Sequence, residues 1–318
     1  MIDIRYALHG VAIGLVWFGL INVGAAAVVA LAAQRALGRG ANRNAAFWLT
    51  LRLLPSLAAM AFVIALFAPS YWTYEPRAVE DLDVSLIIGA LGAALLIGAA
   101  VVRGWRAWRR AASRTRAWLR VARRIETAAG IPVYEVPIAA PMMALAGVFR
   151  PRLLVTRGVV DLLTGEELQA GIAHEIGHFR ARDNLKRLAM RAAPDVLVST
   201  TVAAAIEARW ASAAEHDADC AGAANKETRC ALASALVKVA RLTPLSTPIA
   251  DPISTLVDGG DIVSRVHHLL DDGVPRANRG WLPRLVTALA VAATVALSYS
   301  TLLWLVHEAT EVIVNTLP

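Results

Sequence analysis

His174, Glu175 and His178 stand in the stretch Gly171-Ile-Ala-His-Glu-Ile-Gly-His-Phe-Arg180, a spacing that offers two imidazoles and a carboxylate to one metal ion. On a helix, residues four apart lie one turn apart on one face, so both rings can reach the same point while Glu175 sits beside it. This is the H-E-x-x-H pattern of zinc hydrolysis, with the glutamate as general base. Two histidines bracketing a glutamate in an otherwise apolar turn are costly to bury without a partner, which weighs against an ordinary amphipathic helix with surface histidines. A metal site of this kind needs a third protein ligand, and Glu215-His-Asp-Ala-Asp219 offers one. Glu215 is expected to complete the set around Zn²⁺. Asp219, one turn further on, is expected to accept a hydrogen bond from the free nitrogen of a ligand histidine and fix its tautomer. His216 and Asp217 point elsewhere on the same helix.

The elements that must position these groups can be read around them. Thr164 and Glu167 have the spacing of a capping box, which predicts a helix over 165–180. Leu168, Ile172, Ile176 and Phe179 recur at near-helical spacing and form its buried stripe, with Arg180, Arg182 and Asp183 as a polar exit. Upstream, 131–136, 143–149 and 153–156 are short apolar runs bounded by Pro, Gly and Arg, which predict a small sheet. An edge strand can hold a substrate backbone in extended form, and Met143, Ala144, Leu145, Ala146 and Gly147 are the residues expected to do so. Residues 251–260 predict a loop before a helix bearing Arg265. His267 and His268 are adjacent rather than four apart and are not read as ligands. Cys220 adjoins the acidic motif and is expected to be a small buried residue.

Apolar residues make up 57% of the 318-residue chain and mean hydropathy is +0.52, more than a soluble domain of this length carries. Segments 10–33, 53–68, 84–102 and 285–306 account for the excess, against the roughly 20 residues that span a bilayer. In the second, Arg52 is expected to snorkel and Pro55 to open the first turn. Asn22 is expected to hydrogen-bond another helix, and 194–208 to form a buried or membrane-apposed helix. The first span lacks a basic leader and a cleavage site, so it is expected to remain as an anchor.

Arg103, Arg106, Arg109, Arg110, Arg114, Arg116, Arg120, Arg123 and Arg124 precede the first acid, Glu126, after the third span. By the positive-inside rule that end is cytoplasmic. The N-terminus and the residues after 307 are then outside, in a multi-pass membrane protein. The net charge of +7 is assigned to this run beside the membrane, with Trp105, Trp108 and Trp118 interleaved, so anionic lipid rather than nucleic acid is the expected partner.

Pro141-Met-Met-Ala-Leu-Ala-Gly-Val-Phe-Arg-Pro151, followed by Glu166-Glu-Leu168, His174 to His178 and Arg182-Asp183, resembles the membrane-embedded metallopeptidases of the BlaR and MecR sensor-transducer family, over about residues 131 to 270. Gly147-x-x-x-Pro151 favours these over the related HtpX and CAAX prenyl proteases. The resemblance implies an α+β, mostly helical membrane protein with about four transmembrane helices and a gluzincin-like zinc peptidase domain containing a small sheet. It implies His174, His178 and Glu215 as ligands, Glu175 as base, Arg265 near the active site as a catalytic residue, where it or a nearby histidine is expected to stabilise the oxyanion, and a place in a bacterial inner membrane. The expected division is 1–105 for three spans, 106–283 for a cytoplasmic peptidase and 284–318 for a last span and short tail. The large sensor domain of that family is not expected, since the chain ends shortly after the last span.

The expected function is zinc-dependent endoproteolysis of a cytoplasmic repressor-like regulator, or of the chain itself. Membrane-protein quality control of the HtpX kind and a non-catalytic signalling scaffold are the alternatives, and a homodimer remains open. The orientation is testable: reporters fused after Arg124 or at Asp258 should behave as cytoplasmic, and one near Glu80 as extracytoplasmic. An extracytoplasmic signal at Asp258 would overturn the assignment.

Overall fold

The computed structural model describes residues 4–38, 44–76, 83–125, 130–223, 225–242, 254–255, 262–271 and 281–316, with the side chains of 254–255 and 281–293 outside that set. Most of the expected loop at 251–260 therefore lies outside the described residues. Three helical stretches among them are long and apolar enough to cross a membrane. The first is α1 (Ile4–Gly38). The second is α2 (Ala45–Phe62), which continues through a π-helical turn, Val63–Phe67, into α3 (Ala68–Tyr74). The third is α4 (Val84–Val121). Leu8, Val11, Leu20, Val28, Ile88, Leu95 and Val101 point outward, exposed, as lipid-facing side chains do.

The expected division at 105/106 falls inside the unbroken helix α4. Segment 285–306 lies in the last helix of the chain, Trp281–Thr316. That helix packs on the second stretch: Tyr299 donates to the Ala65 carbonyl at 2.7 Å and Ser70 to the Leu303 carbonyl at 2.6 Å. Pro55 does not open its helix. The N-cap is Asn44, whose side chain accepts from the Phe47 N–H at 3.0 Å, and Pro55 sits in the interior.

After α4 the chain builds a sheet from β1 (Arg123–Ile125), β2 (Val133–Val136), β3 (Met143–Ala146), β4 (Arg152–Thr156) and β5 (Ser254–Thr255), in the order β1-β2-β4-β3-β5. β2 and β4 are parallel and the other pairs antiparallel. The expected strand over 143–149 stops at 146 because Gly147 turns the chain back toward β4. Its φ is +97°, and a Cβ there would lie 2.8 Å from the Arg150 carbonyl oxygen, so only glycine suits the position.

Helices α5 (Arg157–Leu162), α6 (Gly165–Ala181), α7 (Asp183–Ala192), α8 (Thr201–Gly222), α9 (Lys226–Leu242) and α10 (Ile262–Leu270) follow, and α11 is the helix Trp281–Thr316. One core joins the sheet to α6, α9 and α10 through Val133, Leu145, Leu153, Leu232, Leu236 and Leu269, with Leu168, Ile172, Ile176 and Phe179 packed against it as their spacing predicts.

A second core fuses the membrane helices to the site-bearing part. Val29 of α1 and Trp48 and Leu51 of α2 pack with Ile206 and Trp210 of α8. The run 194–208 is accordingly a short 3₁₀ turn, Val196–Ser199, and the start of α8. Arg52 does not snorkel. It is wholly buried, with Nη1 donating to Asp195 at 2.6 Å, Nε to Glu207 at 2.8 Å and Nη2 to the Met190 carbonyl at 3.2 Å. Asn22, also buried, bonds the backbone of the turn rather than another helix: Nδ2 donates to the Pro194 carbonyl at 2.8 Å and Oδ1 accepts from the Val196 N–H at 3.2 Å.

Removing one member of a buried ion pair strands the other. Arg52→Leu should destabilise the protein by about 3–5 kcal/mol, read as a lower unfolding midpoint in detergent. Adding Asp195→Leu should recover part of the loss. A double variant no more stable than the single would show that the charges are not coupled.

Candidate metal centre

The capping box forms as the spacing predicts. Thr164 Oγ1 accepts from the Glu167 N–H at 3.3 Å and Glu167 Oε2 accepts from the Thr164 N–H at 2.9 Å. Glu167 also receives Ser234 at 2.6 Å and Lys238 at 2.8 Å from α9. Burial pushes its carboxyl up, but these donors prevail and hold it at about 2. The start of α6 is thereby tied to the core behind it.

Along α6, His174, Glu175 and His178 are fully buried, and the two imidazoles meet edge to face with centroids 4.8 Å apart. α8 crosses α6 at backbone contact. A Cβ on Gly222 would lie 2.8 Å from the His174 nitrogen, and one on Gly177 3.2 Å from the Ala218 Cα. This approach brings Glu215 between the histidines, with Oε2 3.6 Å from His174 Nε2 and Oε1 3.5 Å from His178 Nε2. Donor atoms of His174, His178 and Glu215 all lie within 4.8 Å of one another, so the three could hold a metal ion.

The opposite ring nitrogens face carboxylates. His174 Nδ1 is 3.0 Å from Asp219 Oδ1, and His178 Nδ1 is 2.8 Å from Asp183 Oδ2. A proton held on each Nδ1 leaves the Nε2 lone pairs for the shared centre. Neither Nε2 has a hydrogen-bond partner although both are buried, and burying such atoms is costly unless a ligand satisfies them. The donor set of two imidazoles and a carboxylate suits a borderline divalent ion.

Asp183, expected only as a polar helix exit, orients His178. It begins α7 directly after Arg182, whose left-handed backbone at φ 56° turns the chain, and Lys186 donates to its other oxygen at 2.9 Å. Asn184, also absent from the sequence expectations, donates to the carbonyls of Leu145 at 2.9 Å and Gly147 at 3.0 Å, locking α7 to β3.

Arg265 comes from α10, and all three of its guanidinium nitrogens face carboxylates. Nε and Nη2 lie 2.9 and 2.6 Å from Asp219, and Nη1 lies 3.0 Å from Glu215. It is thereby tied to both Asp219 and Glu215. His216 is half-buried and bonds the Ser212 carbonyl at 2.8 Å, while His267 and His268 are exposed. Cys220, expected buried, is exposed, because it lies off the stripe of α8 that meets α6.

β3 is not an open edge. On its outer side Ala144 pairs with Thr255 and Leu145 with Ser254 of β5, and Met143, Ala144, Leu145 and Ala146 are all buried, with Gly147 at the turn beyond them. Nothing in the alternation of 143–149 could announce a partner drawn from a two-residue strand about a hundred positions away.

Burial pushes the Glu175 carboxyl up to about 8, and Glu215 adds to the rise against His178 and Arg265. Burial opposes charge on His178 as well, but Glu215 and Asp183 prevail and raise it. His174 is lowered, chiefly by burial. Glu215 and Asp219 stay well below the usual carboxylate range despite burial, held by His178 and Arg265 in one case and by His174 and Arg265 in the other. A metal ion competes with protons for such imidazoles.

Residues 109–249 match the model of Peptidase family M48. The match spans His174, Glu175, His178, Glu215 and Asp219 and ends before Arg265. It supports metallopeptidase character at the level of that family and does not single out the BlaR and MecR proteins. No curated protein matches the chain.

Metal content tests the assembly. After zinc loading, His174→Ala, His178→Ala and Glu215→Ala should each lose the bound equivalent at this centre, whereas His216→Ala should keep it. Asp183→Ala and Asp219→Ala should weaken affinity by about 10- to 100-fold. Retention in Glu215→Ala with loss in His216→Ala would show that the donor set is wrong.

Proposed function

We propose that the chain is a membrane-embedded zinc metalloendopeptidase, with His174, His178 and Glu215 as ligands and Glu175 as general base. The carrying observation is the pair of buried, unpartnered Nε2 atoms facing Glu215, with Glu175 beside them and nothing else among the described residues to use them. Zinc held there supplies Lewis-acid polarisation of a peptide carbonyl and acidifies water. Glu175 is the residue free to move a proton. It ligates nothing in this arrangement, its burial raises its basicity, and the Leu145 N–H approaches it without closing a good hydrogen bond. It takes a proton from water and returns it to the leaving amine. Asp183 and Asp219 hold the ring tautomers, and Arg265 fixes Glu215 and Asp219, which makes it a positioning residue.

Following the resemblance to the sensor-transducers, the substrate is a cytoplasmic repressor-like regulator or the chain itself, and the peptidase faces the cytoplasm of a bacterial inner membrane. Quality control of membrane proteins is the second reading. It is favoured by the way α8 and the Pro194–Val196 backbone are fastened directly onto the apolar helices by Arg52 and Asn22, which supports a site close to the membrane. A purely structural zinc site would have no use for a buried carboxylate at position 175.

Glu175→Gln separates catalyst from scaffold. It should retain zinc and the unfolding midpoint while hydrolysis of an unfolded protein such as casein falls by at least about 10²-fold. Cleavage at the wild-type rate with zinc in place would assign the centre a structural role.

A further inference from the structure

A second group of metal-type donors lies far from the His174 cluster. Glu75, His307 and Glu311 each present a ligand atom within 4.8 Å of the others. Glu75 caps the C-terminus of α3, and its N–H is pinned to the Tyr71 carbonyl at 3.1 Å. His307 and Glu311 are four apart on α11, one turn apart on one face. The His307 ring stacks on Tyr74, centroids 5.7 Å apart at 25°, which limits its rotation and aims Nδ1 toward Glu75.

The separation between His307 Nδ1 and Glu75 Oε2 is 3.7 Å. That is too long for a hydrogen bond, and it is close to the spacing of the ligand atoms in the first cluster, 3.5 and 3.6 Å. The side chains are only 18% and 16% exposed, so the group is half-enclosed and still open to water. Two carboxylates and one imidazole form a donor set for zinc and its divalent transition-metal neighbours.

The surroundings place the group at one end of the bundle. Tyr6, Tyr71 and Val306 pack together there, and Trp72 lies against Tyr6. Tyrosine and tryptophan gathered at helix ends mark the membrane–water interface. α1 runs from Tyr6 at this end to Val29, which packs against α8 at the other, roughly 35 Å along the helix. No donor here can reach the His174 centre.

We propose that Glu75, His307 and Glu311 form a second divalent transition-metal site, which staples α11 to α3 at the bundle end opposite the peptidase centre. An ion there joins the last helix to the rest by three coordinate bonds, alongside the Ser70–Leu303 and Trp17–Thr310 hydrogen bonds. The helix is thereby made responsive to metal outside the catalytic centre.

The full chain in detergent, loaded with zinc chloride and desalted, should carry about two equivalents per chain, and His307→Ala and Glu311→Gln should each carry about one. The His174→Ala/His178→Ala double variant should keep about one, and added zinc should raise its unfolding midpoint, as a ligand of the folded state must. Adding Glu311→Gln to that background should remove both the equivalent and the rise. Should His307→Ala fail to fold, the Glu311→Gln comparison decides. A double variant that binds no zinc, or a midpoint shift that survives Glu311→Gln, would overturn the proposal.

Discussion

Everything at the buried centre depends on two helices touching backbone to backbone. At Gly177 and Gly222 the surfaces of α6 and α8 have no side chain between them, and a methyl group at Gly222 would sit 2.8 Å from the His174 nitrogen. Only at that distance can a carboxylate as short as Glu215 reach both imidazoles of the facing helix. The contact is held from outside as well. The capping box and the Glu167–Lys238 pair set the start of α6, and Ile206 and Trp210 bury the first half of α8 against the membrane helices. Packing of this density transmits displacement, so an added methylene at the crossing would be felt at the donors.

Around that contact, charge is arranged in layers. The histidines face inward with Nε2 and outward to Asp219 and Asp183, and those carboxylates are answered by Arg265 and Lys186. Leaving any member unanswered at full burial would be costly, which accounts for a guanidinium from α10 with every nitrogen engaged. The same rule operates at the junction with the spans, where Arg52 is completely enclosed by Asp195, Glu207 and a carbonyl. The two networks are mechanically linked, because α7 and α8 carry partners of both.

The sequence was most informative where chemistry demands residue types at helical spacing. His174, Glu175, His178, Glu215 and Asp219 could be named because a period of 3.6 residues and a fixed number of donors leave little choice. The capping box and the apolar stripe of α6 were legible for the same reason. Partners that arise from crossings were not. Asp183 reaches His178 only because Arg182 adopts a left-handed backbone, a conformation that arginine does not advertise. Arg52 looked like a snorkelling cation because an isolated span would treat it so, while its partners lie over a hundred residues downstream. β3 looked like an edge because β5 is only two residues long and carries no alternating pattern.

His174, His178 and Glu215 are proposed to converge on one ion. Diffraction from zinc-loaded crystals, recorded on both sides of the zinc absorption edge, tests it most directly. An anomalous peak is expected about 2.0–2.2 Å from His174 Nε2, His178 Nε2 and a Glu215 carboxylate oxygen, with Glu175 close by but outside bonding distance. A zinc-loaded crystal with no peak between those three side chains, or with Glu175 bound in place of Glu215, would contradict it.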